Sequence, residues 1–397
     1  MRYSRRQFVG RAAALPYALR AMSAQMTAGP ARWVLLGTDT GKGVYRAGWN
    51  AAAGSLGPVQ LVAETVRPSY LAKHPTLPVV YAVNAASGDA AAVSSFNLDA
   101  ASGGLTPLNK VGSQGDGPCF VSVDPTGSMA FVANYTGGSF AAFRVTNVGG
   151  LAQAIGVFKY TQATHGPVAD RQDAAHIHCA TISPGAPGGS PGGPGGAAGN
   201  KYVLACDLGD DVILVFPIGP GNGDYVRVPI RVGARAGSGP RHVAFHPNGK
   251  FVYCVHELDC TIDFYDWRIE RGQPVMRLRE NSVVSTLAKG ESLKGNTGCE
   301  IVISEDGRFL YSCTRGVDTI TVWRIDENGY LTEVQKLSCG GKVPRYIAFD
   351  PSRRWLVSCN QGAPGNVTVF SRDAATGRLG LKPKTFQAPT PMFALWV

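Results

Sequence analysis

No stretch of this chain reaches the roughly 18 consecutive apolar residues that a membrane-spanning helix requires, so neither a transmembrane helix nor stable membrane association is expected. The nine cysteines form no Cys-x-x-Cys pair, which removes the common zinc-ribbon and thioredoxin-like spacings. Gly41 to Gly43 and Gly219 to Gly223 lack the Lys-Ser/Thr and strand-to-helix context of a phosphate loop and read as turns. No serine sits in a nucleophile-elbow pattern, which argues against covalent acyl chemistry. A basic stripe is missing too. Half of the net charge of +10 comes from Arg2, Arg5, Arg6, Arg11 and Arg20, and the remainder is spread along the chain. Nucleic acid is therefore not an expected partner.

What the chain has in quantity is turn-forming residues, with 50 glycines and 26 prolines. These favour many short strands over long helices. The clearest unit runs from Gly239-Pro240-Arg241-His242 through the turn Pro247-Asn248-Gly249 to Cys254-Val255-His256-Glu257. Period-two alternation on both sides of a Pro-Asn-Gly turn predicts a β-hairpin, and one hairpin cannot bury a core alone. The unit recurs with its turns near Pro75, Pro125, Pro184, Glu305 and Pro351, 46 to 63 residues apart. That period, with a third and fourth strand after each hairpin, fits four-stranded antiparallel propeller blades.

Six complete copies leave two remnants. Residues 33–45 read as second and third strands without a first, and residues 391–397 as a first strand without a second. Joined, they make a seventh blade and leave no open sheet edge. The fold class expected is therefore an all-β, seven-bladed propeller over residues 31–397, closed by terminal strands sharing one blade. Residues 184–200, almost wholly Gly, Pro and Ala, interrupt the third hairpin as a flexible loop. Residues 1–30, with Arg5-Arg6 ahead of an Ala-rich segment, read as a twin-arginine export signal. A working signal would place the protein in the periplasm or outside the cell, and otherwise it stays cytoplasmic.

In a propeller the first strand of each blade lines the central channel. At the Arg241 position the other copies carry Ser69, Cys119, His178, Cys299 and Arg345. Beside His242 stand Tyr70, Phe120, Cys179, Glu300 and Tyr346, and beside Glu257 stand Tyr135, Leu208, Arg315 and Gln361. Ionisable residues at buried strand starts are costly unless paired or used. Three arginines suit an anionic ligand, and a nearby His and Glu supply an acid and a base. The alternative is a polar plug of ion pairs at the channel mouth. His176 and His178 share a strand face, but nothing nearby completes a metal site. Neither metal nor cofactor is expected. Cys206, Cys313 and Cys359 read as buried core thiols, whereas Cys254 and Cys260 could bridge neighbouring strands.

Several segments resemble the lactonase family of seven-bladed propellers, which includes bacterial 6-phosphogluconolactonase and fungal carboxymuconate lactonising enzyme. They include Gly117 to Gly127, Val132 to Ser139, Arg171-Gln172 before His176-Ile177-His178, Asp207-Leu208-Gly209, Gly239 to His242, Glu257-Leu258-Asp259, Arg315-Gly316 and Gly340 to Arg345. The resemblance spans residues 32–397. It implies a catalytic His, Arg, Glu and second Arg, which fall on His178, Arg241, Glu257 and Arg315. The residues around them, His176, His242, Glu300, Arg345 and Gln361, are the expected substrate-binding set. Where the family has Asn before the Glu, this chain has His256. The resemblance implies hydrolysis of a small anionic sugar-acid lactone without metal, with Glu257 or His178 activating water. A muconate-type cyclase or a non-catalytic exported propeller are the alternatives.

Overall fold

The computed structural model describes residues 32–159, 166–184, 202–218 and 228–397. The export-signal segment and residues 185–200 of the Gly/Pro-rich loop lie outside them. No helix among the described residues is long and apolar enough to cross a membrane.

Seven antiparallel sheets follow one another around a ring, in strand orders that run from channel to rim. Blade 1 holds strands Leu71–Lys73, Val79–Asn84, Ala92–Asp99 and Gly104–Gly112. Blade 2 spans Pro118–Val123 to Leu151–Lys159, and blade 3 spans Thr181–Ile182 to Ile230–Gly233. Blades 4, 5 and 6 begin with Pro240–Phe245, Thr297–Ile303 and Pro344–Phe349. Blade 7 is the shared one: Pro391–Trp396 pairs antiparallel with Trp33–Thr38, joining Leu35 to Leu395 and Leu36 to Ala394. The remnants in the sequence thus close the ring as expected.

The second strands are buried throughout, as in Val79–Asn84, Met129–Asn134, Tyr202–Asp207 and Phe251–His256. Their continuous apolar runs suit strands covered on both faces by neighbouring blades. Blades are also stapled to their successors by polar contacts. Tyr81 donates to the Gly149 carbonyl (2.7 Å), Tyr202 to Gly272 (2.8 Å), Tyr253 to Gly329 (2.6 Å) and Tyr311 to Gly377 (2.6 Å). Trp355 donates to Ala51 at 2.8 Å across the seam between blades 6 and 7. Each bond satisfies a phenol or indole that apolar packing has buried, and a net hydrogen bond is worth about 1 kcal/mol.

A second regularity builds the site. The first strand carries a β-bulge at Cys119, Arg241, Cys299, Arg345 and Met392, where Pro118, Pro240, Gly298, Pro344 and Pro391 pair but the next residue does not. Ser69 and His178 stand at the same place in blades 1 and 3, fixed by the Val83–Tyr70 and His178–Cys206 backbone bonds. A bulge frees one residue from the ladder and re-aims its side chain. Here the repeated bulge gives one side chain per blade to the axis.

Candidate active site

Those axial side chains, with the residues after each second strand, line a cavity of about 480 Å³. Its walls include Ser69, Cys119, His178, Arg345 and Met392 from the bulge ring, and Tyr135, Glu257 and Arg315 from the level above. Below the ring the channel is plugged. Tyr70 stacks on Phe120 at 4.1 Å between centroids and packs on Phe393 at 4.0 Å, and Phe393 lies 4.1 Å from Tyr346. The cavity therefore has an aromatic floor, and that volume suits a single small ligand.

Glu257 is the hub. Its Oε2 accepts from Arg241 Nε at 2.9 Å and lies 2.9 Å from an Arg315 Nη, while Oε1 accepts from Arg171 at 2.5 Å. Burial alone would push this carboxyl up, but the guanidinium charges of Arg315, Arg241 and Arg171 override it and hold Glu257 well below the ordinary carboxylate range. A carboxylate so stabilised is a poor proton acceptor. Its geometry is that of an anchor for three guanidinium groups. Arg241, only 1 % exposed, also donates to the Cys299 carbonyl and lies 3.3 Å from His242 Nε2.

Behind the wall runs a chain of three groups. Glu300 Oε1 lies 2.8 Å from His242 Nδ1 and also accepts the Ile301 amide at 3.0 Å. His242 Nε2 lies 3.2 Å from His178 Nδ1. Charge fixes the tautomers: a carboxylate accepts, so His242 donates from Nδ1 and its Nε2 receives both Arg241 and His178 Nδ1–H. His178 Nε2 is left with a lone pair, 3.9 Å from Glu257 Oε2. Burial, Arg241, His242 and Arg345 depress His178 well below its usual value, so it stays neutral. Burial lowers His242 as well, against Glu300.

Arg345 differs from the other arginines. No carboxylate lies within ion-pair distance of it among the described residues. Burial, then Arg241 and Arg315, bring its guanidinium down to about 10. A cation with like charges for neighbours and an open cavity before it is set to receive an anion.

His178, Arg241, Glu257, Arg315, His242, Glu300 and Arg345 thus converge, in one half of the ring. His176 is placed differently: its Nδ1 faces the Tyr135 carbonyl at 3.0 Å, its Nε2 faces Asp173, and its ring stacks on Tyr135. His176 and His178 do not share a ligand point. Gln361 donates to Asp39 at 2.8 Å and is not part of the cavity wall. Among the wall residues that the repeat register did not name are Met392 and Arg171. Met392 belongs to the strand shared with the N-terminus, where the copy is split. Arg171 lies outside the hairpin repeat, although it stands in the Arg171-Gln172 segment ahead of the histidines. All nine cysteines are free thiols, so Cys254 and Cys260 do not bridge. Gly239, ahead of the Arg241 bulge, has φ +63°, and a Cβ there would meet Leu258 Cγ at 2.6 Å. Only glycine brings that strand in so close.

Comparison with known proteins agrees with this architecture. Residues 33–396 match the family model described as lactonase, 7-bladed β-propeller. The chain belongs to the lactonase family. It is 31% identical over 356 residues to the 6-phosphogluconolactonase of Bacillus subtilis (strain 168), covering 88% of this chain and 93% of that one. It is 27% identical to the 6-phosphogluconolactonase of Formosa agariphila, covering 87% and 92%. The solved structure of the periplasmic gluconolactonase of Pseudomonas aeruginosa superposes with a TM-score of 0.79 at 28% identity, covering 92% and 98%.

Proposed function

We propose that this lactonase-family protein hydrolyses the lactone of an anionic sugar acid, with protein side chains alone supplying the reaction. The observation that carries the reading is the pairing of a neutral His178, its Nε2 lone pair free, with an unpaired Arg345 across one cavity. Arg345 takes the carboxylate or phosphate of the substrate. Arg315, at the cavity wall, stabilises the oxyanion that forms on the attacked carbonyl. His178 Nε2 removes a proton from water as its oxygen bonds to the carbonyl carbon. The resulting imidazolium then protonates the ring oxygen as the ester bond breaks. One water is consumed, and the product is the open hydroxy acid.

Glu257 does not serve as base in this scheme, because its charge is already taken up by Arg171, Arg241 and Arg315. Its work is to hold Arg315 in place. Glu300 and His242 keep the His178 proton on Nδ1 and hold the ring in orientation. The Arg5-Arg6 segment and the likeness to a periplasmic gluconolactonase favour an exported enzyme and a non-phosphorylated substrate. The deciding experiment is acid release in a pH-stat with a panel of phosphorylated and non-phosphorylated sugar-acid lactones. Turnover by the wild type and its loss in His178→Ala is expected. No turnover of any lactone by folded wild type sinks the reading.

A further inference from the structure

Away from the cavity, blade 4 buries a second polar cluster that the reaction does not use. Cys254 and His256 are two apart on strand Phe251–His256 and so point to one face. Cys254 pairs in register with Asp263 on the neighbouring strand Thr261–Glu270. The thiol, imidazole and carboxylate donor atoms all lie within 4.8 Å of one another, and all three residues are fully buried. Cys206, from the second strand of blade 3, packs in the same buried cluster as Cys254.

This cluster is not a satisfied polar network. His256 Nε2 lies 2.9 Å from Asp263 Oδ1, yet neither ring nitrogen and neither carboxylate oxygen makes an aligned hydrogen bond, and the nearby Tyr265 hydroxyl makes none either. Buried donors without alignment are costly. A buried polar group without an aligned partner calls for an occupant, and thiol, imidazole and carboxylate donors this close can share one ion. Arg235 approaches Asp263 Oδ2 at 3.6 Å and so supports the carboxylate from behind, leaving Oδ1 towards His256. Other blades do not need this. At the His256 position they carry Asn84, Asn134 and Asn360, whose amides bond to loop backbone carbonyls at Val66, Ser113 and Cys339.

We propose that Cys254, His256 and Asp263 bind one zinc ion within blade 4, against the face of blade 3. Thiolate, imidazole and carboxylate together suit zinc, and three protein ligands leave its fourth position to water. Binding displaces the thiol proton. The ion ties strands Phe251–His256 and Thr261–Glu270 together and fixes the backbone one residue before Glu257.

The test is metal content of the full-length protein produced in zinc-supplemented and cobalt-supplemented medium, beside His256→Asn and Cys254→Ser. His256→Asn places in blade 4 the residue that blades 1, 2 and 6 use, so the fold is expected to persist, and circular dichroism checks it. The expected result is about one zinc per chain in the wild type, a tetrahedral cobalt spectrum with a thiolate charge-transfer band, and loss of both in each folded variant. Should His256→Asn fail to fold, the Cys254→Ser comparison decides alone. Wild type without zinc, or zinc retained at wild-type level in the variants, overturns the assignment.

Discussion

His178 Nδ1 meets His242 Nε2 at 3.2 Å, a contact between blades 3 and 4 with both rings buried. It ties the pocket-facing imidazole to Glu300 in blade 5. Replacing His178 by Ala is expected to lower kcat roughly 10²- to 10⁴-fold, the usual worth of a general base. Glu300→Gln keeps the shape but lets His242 take the other tautomer. The expected effect is a smaller fall in kcat with KM little changed and a displaced acid limb in the pH–rate profile. An unaltered pH profile in Glu300→Gln counts against the positioning role.

Arg345→Met separates binding from stability. Its guanidinium has no ion-pair partner to orphan, and its neighbours Arg241 and Arg315 carry like charge. The variant is expected to raise KM roughly 10- to 100-fold, the loss of a charged hydrogen bond of about 1.5–3 kcal/mol. Its melting temperature should equal or exceed that of the wild type. Steady-state kinetics beside calorimetry measures both.

Glu257→Gln is the converse case. It leaves the fully buried Arg241 and its neighbours Arg171 and Arg315 without their shared counter-charge. Removing one partner of a buried ion pair costs about 3–5 kcal/mol. A lower denaturation midpoint is therefore expected, with activity lost through displacement of Arg315. Wild-type stability in this variant contradicts the anchoring role.

The pH dependence has a definite sign. His178 and His242 are both depressed below the ordinary value of 6.5 in the folded state. At any pH between their folded and unfolded values these two residues bind more protons in the unfolded chain, so their contribution to stability is full above about 6.5 and is lost as pH falls. Turnover should likewise hold its neutral-pH level to below 6.5 before protonation of His178 stops it. Chemical denaturation from pH 8 to 5, in wild type and in His242→Gln, should show a shallower slope in the variant.

The ring, the number of blades and the shared seventh blade were legible because period-two runs and Pro/Gly turns repeat, and repetition needs no knowledge of contacts. The same register brought Arg241, Glu257, Glu300 and Arg345 to one end of the channel. What the sequence did not carry was partner choice. Glu257 looks as good a base as His178 until three guanidinium groups are seen on it, and Arg171 supplies one of them from outside the repeat. Nor could spacing show that His256 and Cys254 face Asp263, which joins them only when two strands pair.

Met392 lies on the strand that completes blade 7, so one segment both closes the ring and finishes the pocket wall. During synthesis, blades 1 to 6 are available to fold before that strand leaves the ribosome. The cavity wall is complete only once that strand is in place. A chain without that strand holds the arginines and histidines of the site but no finished wall to present to a ligand.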